Sequence, residues 1–170
     1  MAKEGLPQLT EEELERYQFE VEKPHVTVKE LSLGQRYALT TQRREIEDLM
    51  ARRLGILALK GDTSDLKILQ SLIEHKVMKS ADVRDWQGMG IIFGDILARE
   101  FGLHWVSYED DLGTSKALRW RNTENYVFPV TMFSKRVGFK QKIDVGEIYD
   151  KIQTDIERFK TFEINRPVFN

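Results

Sequence analysis

No cysteine occurs among the 170 residues, which excludes disulfides, thiolate metal sites and thiol catalysis and accords with a reducing compartment. Charge of one sign is also missing. Lys and Arg number 26 against 28 Asp and Glu, for a net charge of -2, so no global pull toward nucleic acid or an anionic membrane follows. No apolar run approaches the length of a membrane span, and Met1 to Thr10 lacks a basic flank followed by an apolar core. The expectation is a cytoplasmic protein with no membrane partner. Histidine is sparse: His25, His75 and His104 lie far apart and form no pair at helical spacing, so no metal site and no cofactor is expected. The run Lys60, Gly61, Asp62, Thr63 lacks the spacing of a phosphate loop, and its Asp would repel a phosphate.

What is present suffices for one domain with its own core, burying about 70% of the unfolded surface. The first thirty residues read as an extension. Leu9, Thr10, Glu13 and Leu14 match a capping box with a hydrophobic staple and start a short helix through about Tyr17. Phe19, Val21, Val26 and Val28 then form an extended stretch that Pro24 keeps at a sheet edge or out of a sheet. A second capping box, Ser32 with Gln35, opens a long helix to about Leu54, with Leu39, Ile46, Leu49, Met50 and Leu57 on its inner face and charges on the other. Gly61 to Ser64 break the chain ahead of a third helix carrying Leu66, Leu69, Ile73 and Val77.

Asp82 and Asp85 suit the positive end of a fourth helix, and Gly102 is its left-handed terminator. Gly90, Gly94 and Ala98 recur every fourth residue in that helix. They form a ridge with almost no side chains, where another helix or the sheet can approach closely. Gly inside a helix costs about 1 kcal/mol relative to Ala, so close packing is expected to return it.

Leu103 to Glu109 and Ser115 to Arg121 read as a hairpin around Gly113, with a third short strand from Tyr126 ended by Pro129. Two helical turns follow around Phe133 and Val137, then a last helix capped by Asp144 and Glu147 with Ile148, Ile152, Ile156 and Phe159 inside. The fold class is α+β: N-terminal helices, a three-stranded antiparallel meander, then C-terminal helices packing on the sheet. The boundaries are an extension at 1–30, one domain at 31–160 and a tail at 161–170.

The ordered string Gly90, Phe93, Gly94, Asp95, Leu97, Ala98, then Gly102, Leu103, Trp105, Asp110, Gly113, Ala117, Leu118, Arg119, and finally Phe128, Pro129, Met132, Lys135, Arg136 resembles the DUF3806 family of bacterial domains of unknown function. The resemblance runs from about Leu31 to Phe159. It implies the domain boundary and a bacterial, cytoplasmic source, and it brings no activity and no functional residues.

Among carboxylates, Asp95 stands out. It is read first as an ion pair with Arg99 one turn on, and alternatively as a carboxylate facing the hairpin to bind a backbone group or a ligand. His104 follows the helix terminator and, with Asp95 or Asp110, is the catalytic candidate for a small hydrolase or transferase. Ser107 lacks nucleophile-elbow glycines and falls on the opposite strand face from His104. Glu109, Asp110 and Asp111 beside Gly113 lack the alternating oxygens of a calcium loop and read as a solvated turn. The mixed charges around Arg43, Arg44, Arg52 and Arg53 read as a solvated helix face.

Binding candidates are Trp105, Arg119, Trp120, Lys135 and Arg136. Lys135 and Arg136 continue into Lys140 and Lys142, near Trp120 and Arg121, as a weak surface for an acidic partner, with nucleic acid disfavoured. The function that fits these residues is a non-catalytic domain that binds another protein, in the manner of an adaptor or immunity protein.

Overall fold

The computed structural model describes residues 10–13 and 25–167. Its elements are strand β1 (Thr27–Lys29), helix α1 (Leu33–Leu54), a 3-10 turn (Thr63–Asp65) running into α2 (Leu66–Glu74), then α3 (Val83–Phe101). Strands β2 (Leu103–Asp110), β3 (Gly113–Trp120) and β4 (Tyr126–Val127) and helices α4 (Met132–Gly138) and α5 (Val145–Ile164) complete it. Of the first expected helix the described residues hold the cap and the helical residues 11–13. Thr10 and Glu13 exchange the two hydrogen bonds of a capping box, and the rest of that helix lies outside the described residues.

The sheet has four antiparallel strands in the order β1-β2-β3-β4, one more than the expected meander. The added strand comes from the segment assigned to the extension, Val28 lying opposite Tyr108. It takes the edge that Pro24 predicts. The hairpin is tighter than expected, since Asp110 already pairs with Gly113 and leaves a two-residue loop, with Gly113 at a φ of 132°. The third meander strand is shorter than expected and stops at Val127.

The caps that start the helices are those legible in the sequence. Ser32 Oγ accepts from the Gln35 amide and Gln35 Oε1 from that of Ser32, while Gln35 Nε2 also donates to Ser107 Oγ at 2.9 Å and so ties the start of α1 to β2. Asp144 Oδ1 accepts from the Glu147 amide at the start of α5. Gly102 ends α3 in the left-handed region, at a φ of 67°. Leu39, Ile46 and Met50 are the buried face of α1, but Leu57 is exposed because the helix ends at Leu54 and the chain turns outward at Gly55. Val77 likewise lies beyond the end of α2, at Glu74.

α3 is the central element. Trp86, Met89, Ile92, Phe93, Ile96 and Leu97 are buried in one core with residues of α1, α2, α4, α5 and the sheet, and Phe93 meets Phe133 of α4 edge to face at 5.3 Å. The small-residue ridge is occupied from the sheet side. A methyl group on Gly90 would lie 2.3 Å from the Pro129 carbonyl oxygen, and one on Gly94 would lie 2.7 Å from both the Pro129 ring and the Trp105 ring. The approach of α1 is made instead at Gly88, against Ile46 and the Gln42 carbonyl.

α5 closes the other end. Phe159 packs against Trp120, and Lys160 Nζ donates to the Phe101 carbonyl at the negative end of α3. Burial beside the Phe101 and Trp120 rings pushes that ammonium below its usual range.

Glycine is not needed everywhere it occurs. Gly34, in the first turn of α1, has a helical φ, and a methyl group there would come no nearer than 3.9 Å to Ser32 Oγ. Gly34→Ala should stabilise the protein by about 0.5 kcal/mol, read as a small rise in melting temperature. A fall would mean that the open space at this turn is used.

Candidate functional site

Strand alternation sorts the sheet residues onto two faces. Leu103, Trp105 and Ser107 of β2 share a face with Trp120, Leu118 and Lys116 of β3, in direct register. This is the face that meets the helices, through Gln35 at Ser107, Gly94 at Trp105 and Phe159 at Trp120. His104, Val106 and Tyr108 lie on the opposite face with Arg119, Ala117 and Ser115, and Tyr126 extends the His104 and Arg119 row.

Asp95 belongs to the helix face. Its partner is not Arg99 but Arg43 of α1, whose Nε donates to Oδ2 at 2.5 Å and whose second nitrogen donates to Oδ1 at 3.0 Å. The Trp105 indole N–H also donates to Oδ1, at 3.0 Å. One carboxylate thus joins α1, α3 and β2. The pair is about a third exposed, 27% for Arg43 and 32% for Asp95. That places it between an exposed ion pair, worth under about 1 kcal/mol, and a buried one, whose breaking costs about 3 to 5 kcal/mol. Arg43 therefore leaves the solvated face expected of it, and Arg99 donates instead to the Lys60 carbonyl.

The structure does not bring the catalytic candidates together. His104 is exposed on the far face of the sheet, and Asp110 caps the hairpin loop by accepting from the Leu112 amide. Ser107 bonds to Gln35 on the helix face. Among the described residues no three His, Asp or Glu side chains gather as a metal would require.

The binding candidates are also dispersed. Trp105 and Trp120 sit on the helix face, Trp120 in the core with Arg121 stacked over its ring at 4.6 Å. Arg136 turns back to the Met132 carbonyl. Lys135 lines a cleft beside β3, whereas Lys140 and Lys142 line a separate groove against Trp86 and Gln70. The basic run of the sequence is split between two sites and does not form one patch.

Arg119 keeps company that sequence spacing does not reveal. Its guanidinium lies over the Tyr126 ring at 5.7 Å and its Nε donates to the Thr123 carbonyl. Tyr126 meets Tyr108 at 4.9 Å, and Tyr108 meets Phe128 at 5.1 Å, both edge to face. Burial holds the Tyr126 hydroxyl above its usual range, while Phe128 remains 38% exposed. The far face of the sheet thus carries a connected group of three rings and one cation. Its only sequence signal was the alternation of Tyr126 with Phe128.

A second residue the sequence reading passes over is Asp65, the one buried charged residue described, at 1% exposure. Its two oxygens accept from the Lys60 amide at 3.1 Å and the Gly61 amide at 2.6 Å. The loop that resembles a poor phosphate cradle holds the chain's own carboxylate.

Elsewhere on the surface Arg84 grips Glu45 with two hydrogen bonds and holds its carboxyl below the usual range. The unfolded chain then binds this proton more readily than the folded one. The pair's contribution is therefore complete above the ordinary glutamate pKa and is lost as pH falls through the lowered one. The melting difference between wild type and Glu45→Gln should narrow from about pH 7 to about pH 3, and a constant difference would contradict the pairing.

A family model described as a domain of unknown function, DUF3806, matches residues 65–149. No curated protein matches the chain. A crystal structure from Bacteroides thetaiotaomicron VPI-5482, at 1.50 Å resolution, superposes with a TM-score of 0.68 at 19% identity, over 78% of this chain and 49% of that one. The chain spans about half the length of that solved protein, and at this identity the likeness is one of fold alone. Among the described residues, no helix is long and apolar enough to cross a membrane.

Proposed function

We propose that this chain, which belongs to the DUF3806 family of domains of unknown function, is a non-catalytic domain that binds another protein through the far face of its sheet. The observation that carries this reading is the separation of Asp95 from His104. The carboxylate is spent on Arg43 and Trp105 on the helix face, and the imidazole stands on the other side of the sheet. A general base needs its orienting acid within hydrogen-bond reach, and a sheet lies between these two.

The Tyr108, Tyr126 and Phe128 rings with Arg119 supply what a protein interface favours, rigid aromatic area beside a planar cation. The partner segment would set an apolar side chain on the rings and a carboxylate toward Arg119. A bacterial, cytoplasmic setting is part of the same proposal and rests on the family resemblance and the cysteine-free sequence.

A photo-crosslinking phenylalanine analogue at Phe128, in the full chain expressed in its own host, tests this directly. One defined protein adduct is expected at Phe128 and none from the same analogue at exposed Phe162 on α5. Equal yields at the two positions, or no adduct at Phe128, would overturn the assignment of this face. Turnover of generic ester, phosphoester or glycoside substrates that His104→Ala abolishes would overturn the non-catalytic reading.

A further inference from the structure

Where β4 ends at Val127, the following segment parts from β3 and leaves a cleft of about 320 Å³ beside α4. The start of β3 contributes Thr114, Ser115 and Lys116, and across from it stand Thr131 and Lys135. Gln42 of α1 and Gln87 of α3 bring two amides, and Phe128 brings the one aromatic ring. No carboxylate lines the cleft, and both of its titratable residues are lysines.

Among the described residues these side chains find no ionic partner. Among the described residues the ion pairs are Arg43 with Asp95, Arg84 with Glu45 and Arg166 with Glu163, so neither Lys116 nor Lys135 is neutralised. Among the described residues the hydroxyls of Thr114 and Thr131 and the amides of Gln42 and Gln87 have no side-chain hydrogen-bond partner either. Gln35, another glutamine of α1, is by contrast spent on Ser107. In a chain of net charge -2, two unpaired lysines with several idle donors in one concavity are a local anion site and not part of a general positive field.

We infer that this cleft binds a small organic phosphate, its phosphoryl group between Lys116 and Lys135 and its organic part on Phe128. Two lysines match the charge of a phosphate dianion, and hydroxyl and amide donors from different elements suit its tetrahedral oxygens. A planar carboxylate is better served by the flat fork of an arginine, and no arginine lines the cleft. The volume lies at the small end of ligand pockets, room for a phosphoryl group and about one ring. The inference shares Phe128 with the protein-binding reading, but Lys116 and Lys135 take no part in that reading, so loss of phosphate binding in the lysine variants is read separately from the crosslink at Phe128.

The test is calorimetric titration of the full-length protein at low salt with phenyl phosphate, and in parallel with inorganic phosphate and benzoate. Saturable binding of phenyl phosphate is expected at about 1 mM or tighter. Lys135→Glu and Lys116→Met should each weaken it by at least about tenfold, the loss of one charge-assisted contact. Lys67→Glu, at an exposed position of α2, should leave it unchanged. Absence of saturable binding, or binding that survives both cleft variants, would overturn the site. Benzoate binding as tightly as phenyl phosphate would overturn the phosphate assignment, and inorganic phosphate doing so would remove Phe128 from the ligand's contacts.

Discussion

Gly90→Ala, the smallest side-chain change available, should destabilise the protein by about 2 kcal/mol or more, a fall of about 4 to 8 °C in melting temperature for a chain of this size. The added methyl would stand 2.3 Å from the Pro129 carbonyl oxygen and 2.7 Å from that of Val130. Both are backbone atoms, so no rotamer change relieves the clash and the connector between β4 and α4 must move. That connector is pinned, because the Pro129 ring packs on Gly94 beside Trp105 and its carbonyl accepts from the Met132 amide. The gain of about 1 kcal/mol in helix propensity from Gly to Ala offsets only part of the cost. Melting at or above wild type would show that the connector does not lie on this ridge.

Asp65→Ala should cost about 3 kcal/mol. The substitution removes two backbone hydrogen bonds to a buried carboxyl group and leaves the Lys60 and Gly61 amides without that acceptor beside a site that is 1% exposed. Asp65→Asn keeps the shape but replaces one accepting oxygen with a donor, so it should lose about half as much. Urea unfolding of the two variants checks the order, and an Asn variant worse than the Ala variant would contradict it.

Local signals in the sequence carried most of the fold. The Ser32 and Gln35 box, the Asp144 cap, the Gly102 terminator and the hairpin around Gly113 each depend on partners within a few residues, and each is found where the spacing puts it. What escaped depends on partners far along the chain. Val28 finds Tyr108 across three intervening helices, a pairing that a three-residue strand does not announce. Arg43 reaches Asp95 over 52 positions, whereas reading along a helix offers only Arg99, one turn away.

The candidate site was legible in part for the same reason. Alternation alone separated Ser107 from His104, and the structure keeps them on opposite faces. The ridge was read as a place of close approach, but its occupants, a proline connector and a tryptophan ring, come from residues that periodicity does not link to α3. The basic run from Lys135 to Lys142 looked like one surface because its members are neighbours in sequence, but the connector after α4 carries Lys140 and Lys142 into the groove beside Trp86, apart from the cleft that Lys135 lines. The rings around Arg119 gather from two separate strands and the segment that follows β4, which no single stretch of sequence displays.

That Asp95 holds the fold while the far face of the sheet does the work is tested most directly by partner recovery. The protein that crosslinks at Phe128 would be quantified in chains that also carry either Arg119→Glu or Asp95→Asn, at a temperature where both variants remain folded. The expected result is loss of the adduct with Arg119→Glu and its retention with Asp95→Asn, despite the latter's lower melting temperature. Retention with Arg119→Glu together with loss in a fully stable Asp95→Asn protein would contradict it.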